Sequence, residues 1–152
     1  MTASPRSDQW RRHNVGRLLN NAVARFESRI LAFMADAGHR ECKPCHIQVT
    51  RNLDVDGTRL TDLAARAGIT KQSMGALVAE LETIGLVQRH DDPTDGRARI
   101  VSFTPEGLAW LTAFRAAVEA AEDEVRHELG ATRYDAFKAG LAIYAGTPPR
   151  GI

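Results

Sequence analysis

Two cysteines in 152 residues are too few for a disulfide scaffold. They stand as Cys42-x-x-Cys45, so a bridge between them would close a loop too short to constrain the unfolded chain. Long apolar runs are missing too. The longest stretch without Asp, Glu, Lys or Arg is Ala139 to Pro149, 11 residues, well short of the roughly 20 needed to span a bilayer as a helix. No membrane span is expected. The opening MTASPRSDQWRR is followed by no apolar h-region, so no secretory signal is expected either and a cytoplasmic location is. There is no Walker loop, no Gly-x-Ser-x-Gly elbow and no His-Glu-x-x-His run, and hence no expected enzymatic activity or cofactor. Excess charge is absent as well, since 20 Lys+Arg against 19 Asp+Glu leaves +1.

What is present is an ordinary globular composition, 43% hydrophobic and 26% charged, long enough for one domain with a sizeable core. The charge is unevenly placed: ten basic and six acidic groups in residues 1–60, five and six in 61–99, five and seven in 100–152. Seventeen of the 20 cations are Arg. Arg presents a rigid fork suited to phosphate and guanine, although a GC-rich genome produces the same bias.

Hydrophobic spacing predicts an amphipathic helix from about Asp8 to Ala37, carrying Val15, Leu18, Leu19, Ala22, Val23, Phe26, Ile30, Leu31, Phe33 and Met34 and ending near Gly38. Pro44 suits the first turn of a shorter helix through Ile47, Val49 and Leu53. Thr58 to Leu60 reads as a very short strand. Thr61 reads as the N-cap of a helix ending at Gly68, and Thr70 as the N-cap of a helix from Lys71 to Ile84, stopped by Gly85. Two helices so spaced make a helix-turn-helix. Val87 to His90 and Arg99 to Phe103 read as two strands joined by the polar stretch Asp91 to Arg97, a β-hairpin wing. Thr104-Pro105-Glu106 opens a long helix with Leu108, Leu111, Phe114, Val118, Val125 and Leu129 on one stripe. After Gly130 a last helix carries Phe137, Leu141 and Tyr144, and Thr147 to Ile152 reads as a terminal tail. The expected fold is mainly α with a small β-wing.

The order of these elements, with Leu60-Thr-Asp-Leu-Ala-Ala-Arg-Ala-Gly-Ile-Thr-Lys-Gln-Ser-Met, Leu-Glu-Thr-Ile-Gly-Leu-Val-Gln-Arg, Asp-Pro-Thr-Asp-Gly-Arg-Ala and Phe-Thr-Pro-Glu-Gly, resembles the MarR family of winged helix-turn-helix transcriptional regulators. The resemblance runs from about residue 10 to 146, and its most specific part is Asp92 to Arg97 followed by Thr104 to Gly107. It implies one domain over 1–152. The terminal helices, about 10–37 and 104–146, would join a homodimer, and a winged lobe, about 58–103, would read double-stranded DNA at a pseudo-palindromic site, most simply as a repressor. It further implies a small aromatic or phenolic effector between the dimerisation helices and the lobe, around Phe26 to Met34, His46 to Leu53 and Trp110 to Phe114.

The residues themselves support a DNA-reading face. On a wheel of the second motif helix, Met74, Leu77, Val78, Leu81 and Ile84 gather inward, while Gln72, Ala76, Ala79 and Thr83 lie opposite. Gly75 flanks that small outer face, at a helix cost of about 0.5–1 kcal/mol relative to Ala; a close-approaching major groove accounts for it, as does mere tolerance at an exposed position. Lys71 is placed for a phosphate or a guanine edge and Gln72 for bidentate pairing with adenine. Thr70 and Ser73 can donate to phosphates, and the Ala76 methyl can meet a thymine methyl. In the wing, Gly96 is expected to permit the tight turn, with Arg97 at or near the tip. The resemblance puts Arg97 in the minor groove, where Asp95 would orient an Arg by a charge-assisted bond. Arg89 and Arg99 read as phosphate contacts or as solvated strand cations.

His39-Arg-Glu-Cys42-Lys-Pro-Cys45-His46 lies outside what the resemblance explains. Its readings are buried small residues, a redox switch in which a helix N-terminus lowers a thiol pKa, and a soft metal site of His39, Cys42, Cys45 and His46. A thioredoxin-like enzyme fails on context, because no strand precedes the motif and no βαβ pattern follows it.

Overall fold

Asn14 divides the first expected helix. The structure, a computed structural model, describes residues 8–147, so the expected tail beyond Thr147 lies outside the described residues. In place of one helix there are two, α1 (Gln9–His13) and α2 (Val15–Asp36). Asn14 has extended backbone, φ −73 and ψ 156, and its side chain accepts the Arg17 amide at 2.9 Å. A cap of this kind starts a new helix without disturbing the apolar spacing, which is why periodicity alone joined the two.

Helix α3 (Pro44–Thr50) begins on its proline. Strand β1 (Thr58–Arg59) leads into α4 (Leu60–Ala67) and α5 (Lys71–Thr83). Thr61 is not the N-cap of α4: Arg59 holds that position without a side-chain bond, and the chain is already helical at Leu60. Gly68, at φ 68, ends α4 in the left-handed region, and the Ile69 amide turns back to the Ala64 carbonyl at 3.1 Å. Thr70 does cap α5, its hydroxyl oxygen accepting the Ser73 amide at 3.1 Å.

Strands β2 (Val87–Asp92) and β3 (Asp95–Phe103) complete an antiparallel sheet of order β1-β3-β2. Long helix α6 (Pro105–Leu129) follows, its N-cap Thr104 accepting the Gly107 amide at 3.0 Å, and then α7 (Ala131–Tyr144). The architecture is the expected one, mainly α with a small β-wing. Met34, Val49, Leu63, Met74, Val78, Leu81, Val101 and Trp110 are all but fully buried and join α2, α3, α4, α5, β3 and α6 in one core.

Two apolar stripes face differently than their spacing suggested. On α6 the fully buried face is Trp110, Ala117 and Ala121, with Leu111, Phe114 and Val118 of the expected stripe partly buried against the core and only Leu108 of it exposed; the small alanines admit α2 closely, so full burial follows the neighbour rather than side-chain size. On α7 the buried residue is Tyr134, under the Arg126 guanidinium at 4.4 Å, and Phe137 and Tyr144 are exposed. Val15, Leu18 and Val23 of α2 are likewise exposed. On α5 Ile84 turns outward because the helix has ended at Thr83. The outer parts of α2 and α6 are held by paired forks, Arg25 to Glu128 at 3.0 and 2.6 Å and Arg29 to Glu124 at 2.7 Å twice.

The junction of wing and α6 depends on a glycine. A Cβ at Gly107 would lie 1.9 Å from the Leu86 carbonyl oxygen and 3.2 Å from the Phe103 ring. Nothing lies within 4 Å of the corresponding point at Gly75. The same substitution therefore has opposite outcomes in two helices. Gly107→Ala should lower unfolding free energy by about 1–3 kcal/mol, an overpacking cost against backbone. Gly75→Ala should raise it by about 0.5–1 kcal/mol through helix propensity. Urea midpoints of the two variants check both signs.

Candidate nucleic-acid interface

The exposed face of α5 begins at its capped N-terminus. Lys71, Gln72, Ser73 and Ala76 are exposed, Gly75 is half-buried, and Met74, Val78 and Leu81 anchor the opposite face in the core. The Thr70 hydroxyl is engaged twice, accepting the Ser73 amide and donating to Ser73 Oγ at 2.9 Å. Thr70 and Ser73 thus hold each other at the helix start, with the Ser73 hydroxyl proton free to turn outward. The outer surface of α5 is low, and nothing among the described residues requires Gly75 to lack a side chain.

The wing is tighter than its sequence suggested. Asp92 pairs with Asp95, leaving Pro93-Thr94 as the whole turn. The tip therefore lies before Gly96 and Arg97, which belong to β3; Arg97 is exposed but is not the tip. Gly96 does not have positive φ, so the turn does not rest on it. Asp at the first turn position with Pro at the second is itself a turn signature. Because Asp91 pairs with Arg99 and Asp92 with Asp95, the register shifts there, and Gly96, Arg97 and Ala98 bulge between those pairs. Asp95 does not orient a guanidinium as expected; its Oδ1 accepts the backbone amide of Arg97 at 3.1 Å. The carboxylate shapes the bulge that carries Arg97.

The buried acid at the turn is one that sequence reasoning left without a role. Asp92 Oδ1 accepts the Thr94 amide at 2.8 Å and the Thr94 hydroxyl at 2.7 Å, and Oδ2 lies 2.6 Å from Arg59 Nη2. The two Thr94 bonds, reinforced by the Arg59 guanidinium, hold its carboxyl below the usual carboxylate range. Arg59 also donates to Thr94 Oγ1 at 3.3 Å, so the turn is stapled to β1.

The remaining cations divide into two groups. Arg89 grips Glu82 of α5 with two bonds of 2.6 and 3.2 Å, and Arg99 is paired with Asp91 across the hairpin. A phosphate contact by either must use its spare N–H groups or displace a carboxylate. Lys71 and Arg97 form no ion pair among the described residues. They are the charges in this lobe that a phosphate backbone meets without competition from a carboxylate.

The cysteine segment is rearranged from its expected form. Both thiols are free. Cys42 precedes α3, and burial first, then Glu41 and Cys45, push its pKa up to about 11. For Cys42 this is the reverse of the depressed thiol expected of a redox switch. His39 turns aside to Glu41, its Nδ1 3.4 Å from Oε1, so the four-ligand set of His39, Cys42, Cys45 and His46 does not gather. Cys45 and His46 instead come together with Glu80 of α5, a residue too distant in sequence to be grouped with them beforehand.

Among the described residues, no helix is long and apolar enough to cross a membrane. Residues 23–98 match the MarR family model. The chain is 30% identical over 95 residues to the transcriptional regulator HosA of Escherichia coli O111:H-, a match spanning 62% of this chain and 70% of that protein. Among solved structures it resembles the transcriptional repressor CouR bound to a 23-mer DNA duplex, at 26% identity and a TM-score of 0.71, covering 93% of this chain and 99% of that one. A Mycobacterium tuberculosis MarR family protein in complex with salicylic acid is also 26% identical, with a TM-score of 0.66, covering 86% of this chain and 95% of that one. With its helix-turn-helix, its stapled wing and these matches, the chain belongs to the MarR family of transcriptional regulators, non-enzymatic winged-helix proteins that bind DNA.

Proposed function

We propose that this chain is a cytoplasmic repressor acting as a homodimer, which places α5 of each lobe in the major groove of a pseudo-palindromic DNA site and the wing beside it. The observation that carries this reading is the free face of α5: Lys71, Gln72, Ser73 and Ala76 exposed around a glycine that no intramolecular contact requires. Lys71 and the Ser73 hydroxyl, itself held in place by Thr70, position the helix on phosphates, and Gln72 reads an adenine edge. Arg97, held on its bulge by Asp95, enters the minor groove, with Arg89 and Arg99 supporting the flanks. CouR, solved on a DNA duplex, supports the same use of the fold.

A second copy is the occupant we assign to the exposed apolar surface of the terminal helices. Val15, Leu18 and Leu19 of α2 face Phe137, Leu141 and Tyr144 of α7 across an apolar groove, and Gly140 leaves open space there for a close approach. Half-sites about one helical turn apart then match two lobes related by a two-fold axis. An aromatic effector would act from the base of the lobe, where Trp110 stacks on Phe114 at 5.1 Å and its buried Nε1 has no hydrogen-bond partner. Relatives solved with p-coumaroyl-CoA and with salicylic acid support a ligand of that class, which would release DNA by shifting the population of lobe orientations.

Selection of bound fragments from genomic DNA by the purified protein should return a pseudo-palindrome; a set without common sequence would overturn the reading. Gln72→Ala should relax preference at one symmetric base position by about 1–3 kcal/mol and leave the others intact. Arg97→Ala should instead weaken all sites together and reduce the salt slope by about two, one for each protomer of the dimer. Binding isotherms at several salt concentrations, on the selected site and on its single-base variants, separate the two effects.

A further inference from the structure

His46 is a buried side chain with an unspent nitrogen. It is 2% exposed, and its Nε2 has no hydrogen-bond partner, a condition costly for a buried polar group. Its Nδ1 accepts the Lys43 amide at 3.3 Å, which orients the ring so that Nε2 faces Glu80 Oε2, 3.5 Å away. Cys45, one residue earlier, brings its sulfur to the same place. The ligand atoms of Cys45, His46 and Glu80 all lie within 4.8 Å of one another. Sulfur, imidazole nitrogen and carboxylate oxygen together form the donor set of a borderline-soft divalent ion.

We propose that Cys45, His46 and Glu80 bind a divalent cation such as Zn2+, which staples α3 to the recognition helix. The proposal rests on the DNA-binding reading above for its consequence, and on the three donors alone for the site. Bonds of roughly 2.0–2.3 Å in tetrahedral array place ligand atoms roughly 3.3–3.8 Å apart, so the donors close by a small movement, which the exposed Glu80 supplies. A water completes the fourth position. On binding, the Cys45 thiol loses its proton to solvent and its sulfur becomes the thiolate ligand. The His46 ring proton moves to Nδ1, which ends the long contact with the Lys43 amide; that amide, at an exposed residue, turns to water. Lys43 Nζ, now 3.5 Å from Glu80 Oε2, gives up the carboxylate to the cation and is released. Two charges enter and one proton leaves, so the lobe gains one positive charge beside the recognition helix, and Lys43 becomes available to a phosphate. Cation binding therefore strengthens DNA binding, and DNA strengthens cation binding by the same factor.

The test uses the full chain, stripped with a chelator and kept reduced. Titration with Co2+ should produce a thiolate-to-cobalt charge-transfer band saturating at one ion per chain, with release of one proton, and Zn2+ should displace it. Cys45→Ser should abolish the band, Glu80→Gln should weaken Zn2+ binding at least about tenfold, and Cys42→Ser should leave both unchanged; circular dichroism confirms that the variants fold. Absence of the band, its survival in Cys45→Ser, or its loss in Cys42→Ser overturns the site. On a duplex selected with metal-free protein, Zn2+ should raise affinity at least about fivefold in the parent chain and not in Glu80→Gln. Unchanged affinity overturns the coupling. Metal-free protein that binds DNA but takes up no cation refutes this site alone, whereas cation uptake by a chain that binds no DNA refutes the regulator reading alone.

Discussion

The Leu86 carbonyl is where the parts of this molecule meet. It accepts the Thr104 amide at 3.1 Å, while the Leu86 amide reaches back to the Leu81 carbonyl at 2.9 Å and the Thr104 hydroxyl donates to the Gly85 carbonyl at 2.5 Å. The end of the recognition helix, the base of the hairpin and the start of the long helix are thereby tied within a few residues. Gly107 must lack a side chain so that α6 can lie on that carbonyl. The direction in which α5 points, relative to the arm formed by α2 and α6, follows from this contact. Buried backbone groups have to be paired, and here the pairing itself sets the geometry of the reading face.

Electrostatics refine that face by subtraction. A near-neutral chain neutralises most of its own arginines: Glu82 takes Arg89, Asp91 takes Arg99, Asp92 takes Arg59, and Asp54 takes Arg66. Those among them that are exposed on both sides, such as Asp91 with Arg99 and Asp54 with Arg66, add little stability. Their effect is to limit how many cations face a polyanion without competition, and the sequence-independent part of DNA affinity grows with the phosphates neutralised. Under the proposed function, a lobe built this way would gain its affinity from matched contacts, as a reader of sequence does and a DNA coat does not.

Much of the fold was legible because its signals are local. Thr70 before Lys71, Gly68 and Gly85 after their helices, and Thr104-Pro105 before α6 each act within one turn of chain, and the structure uses them as read. Thr61 failed for the opposite reason: β1 delivers the chain to Leu60 already turning, so no side-chain cap is needed. The wing register was hidden because a bulge of Gly96 to Ala98 is set by pairing across the hairpin, which alternation cannot show. The face of α6 was read only in part, Leu111, Phe114 and Val118 packing on the core as expected, because full burial there is decided by α2, some 95 to 103 residues away along the ion pairs that join them. Glu80 and His46 meet only when α3 packs on α5. Long-range partners, not local rules, separate what was read from what was missed.

The same long-range pairing sets what each part of the chain costs to close. In the wing sheet the longest pairing joins Thr58 to Val101, whereas Arg25 and Arg29 of α2 meet Glu128 and Glu124 from 103 and 95 residues away. Closing short loops costs less entropy than closing long ones, so joining the two helices of the arm costs the chain more entropy than joining the strands of the wing sheet.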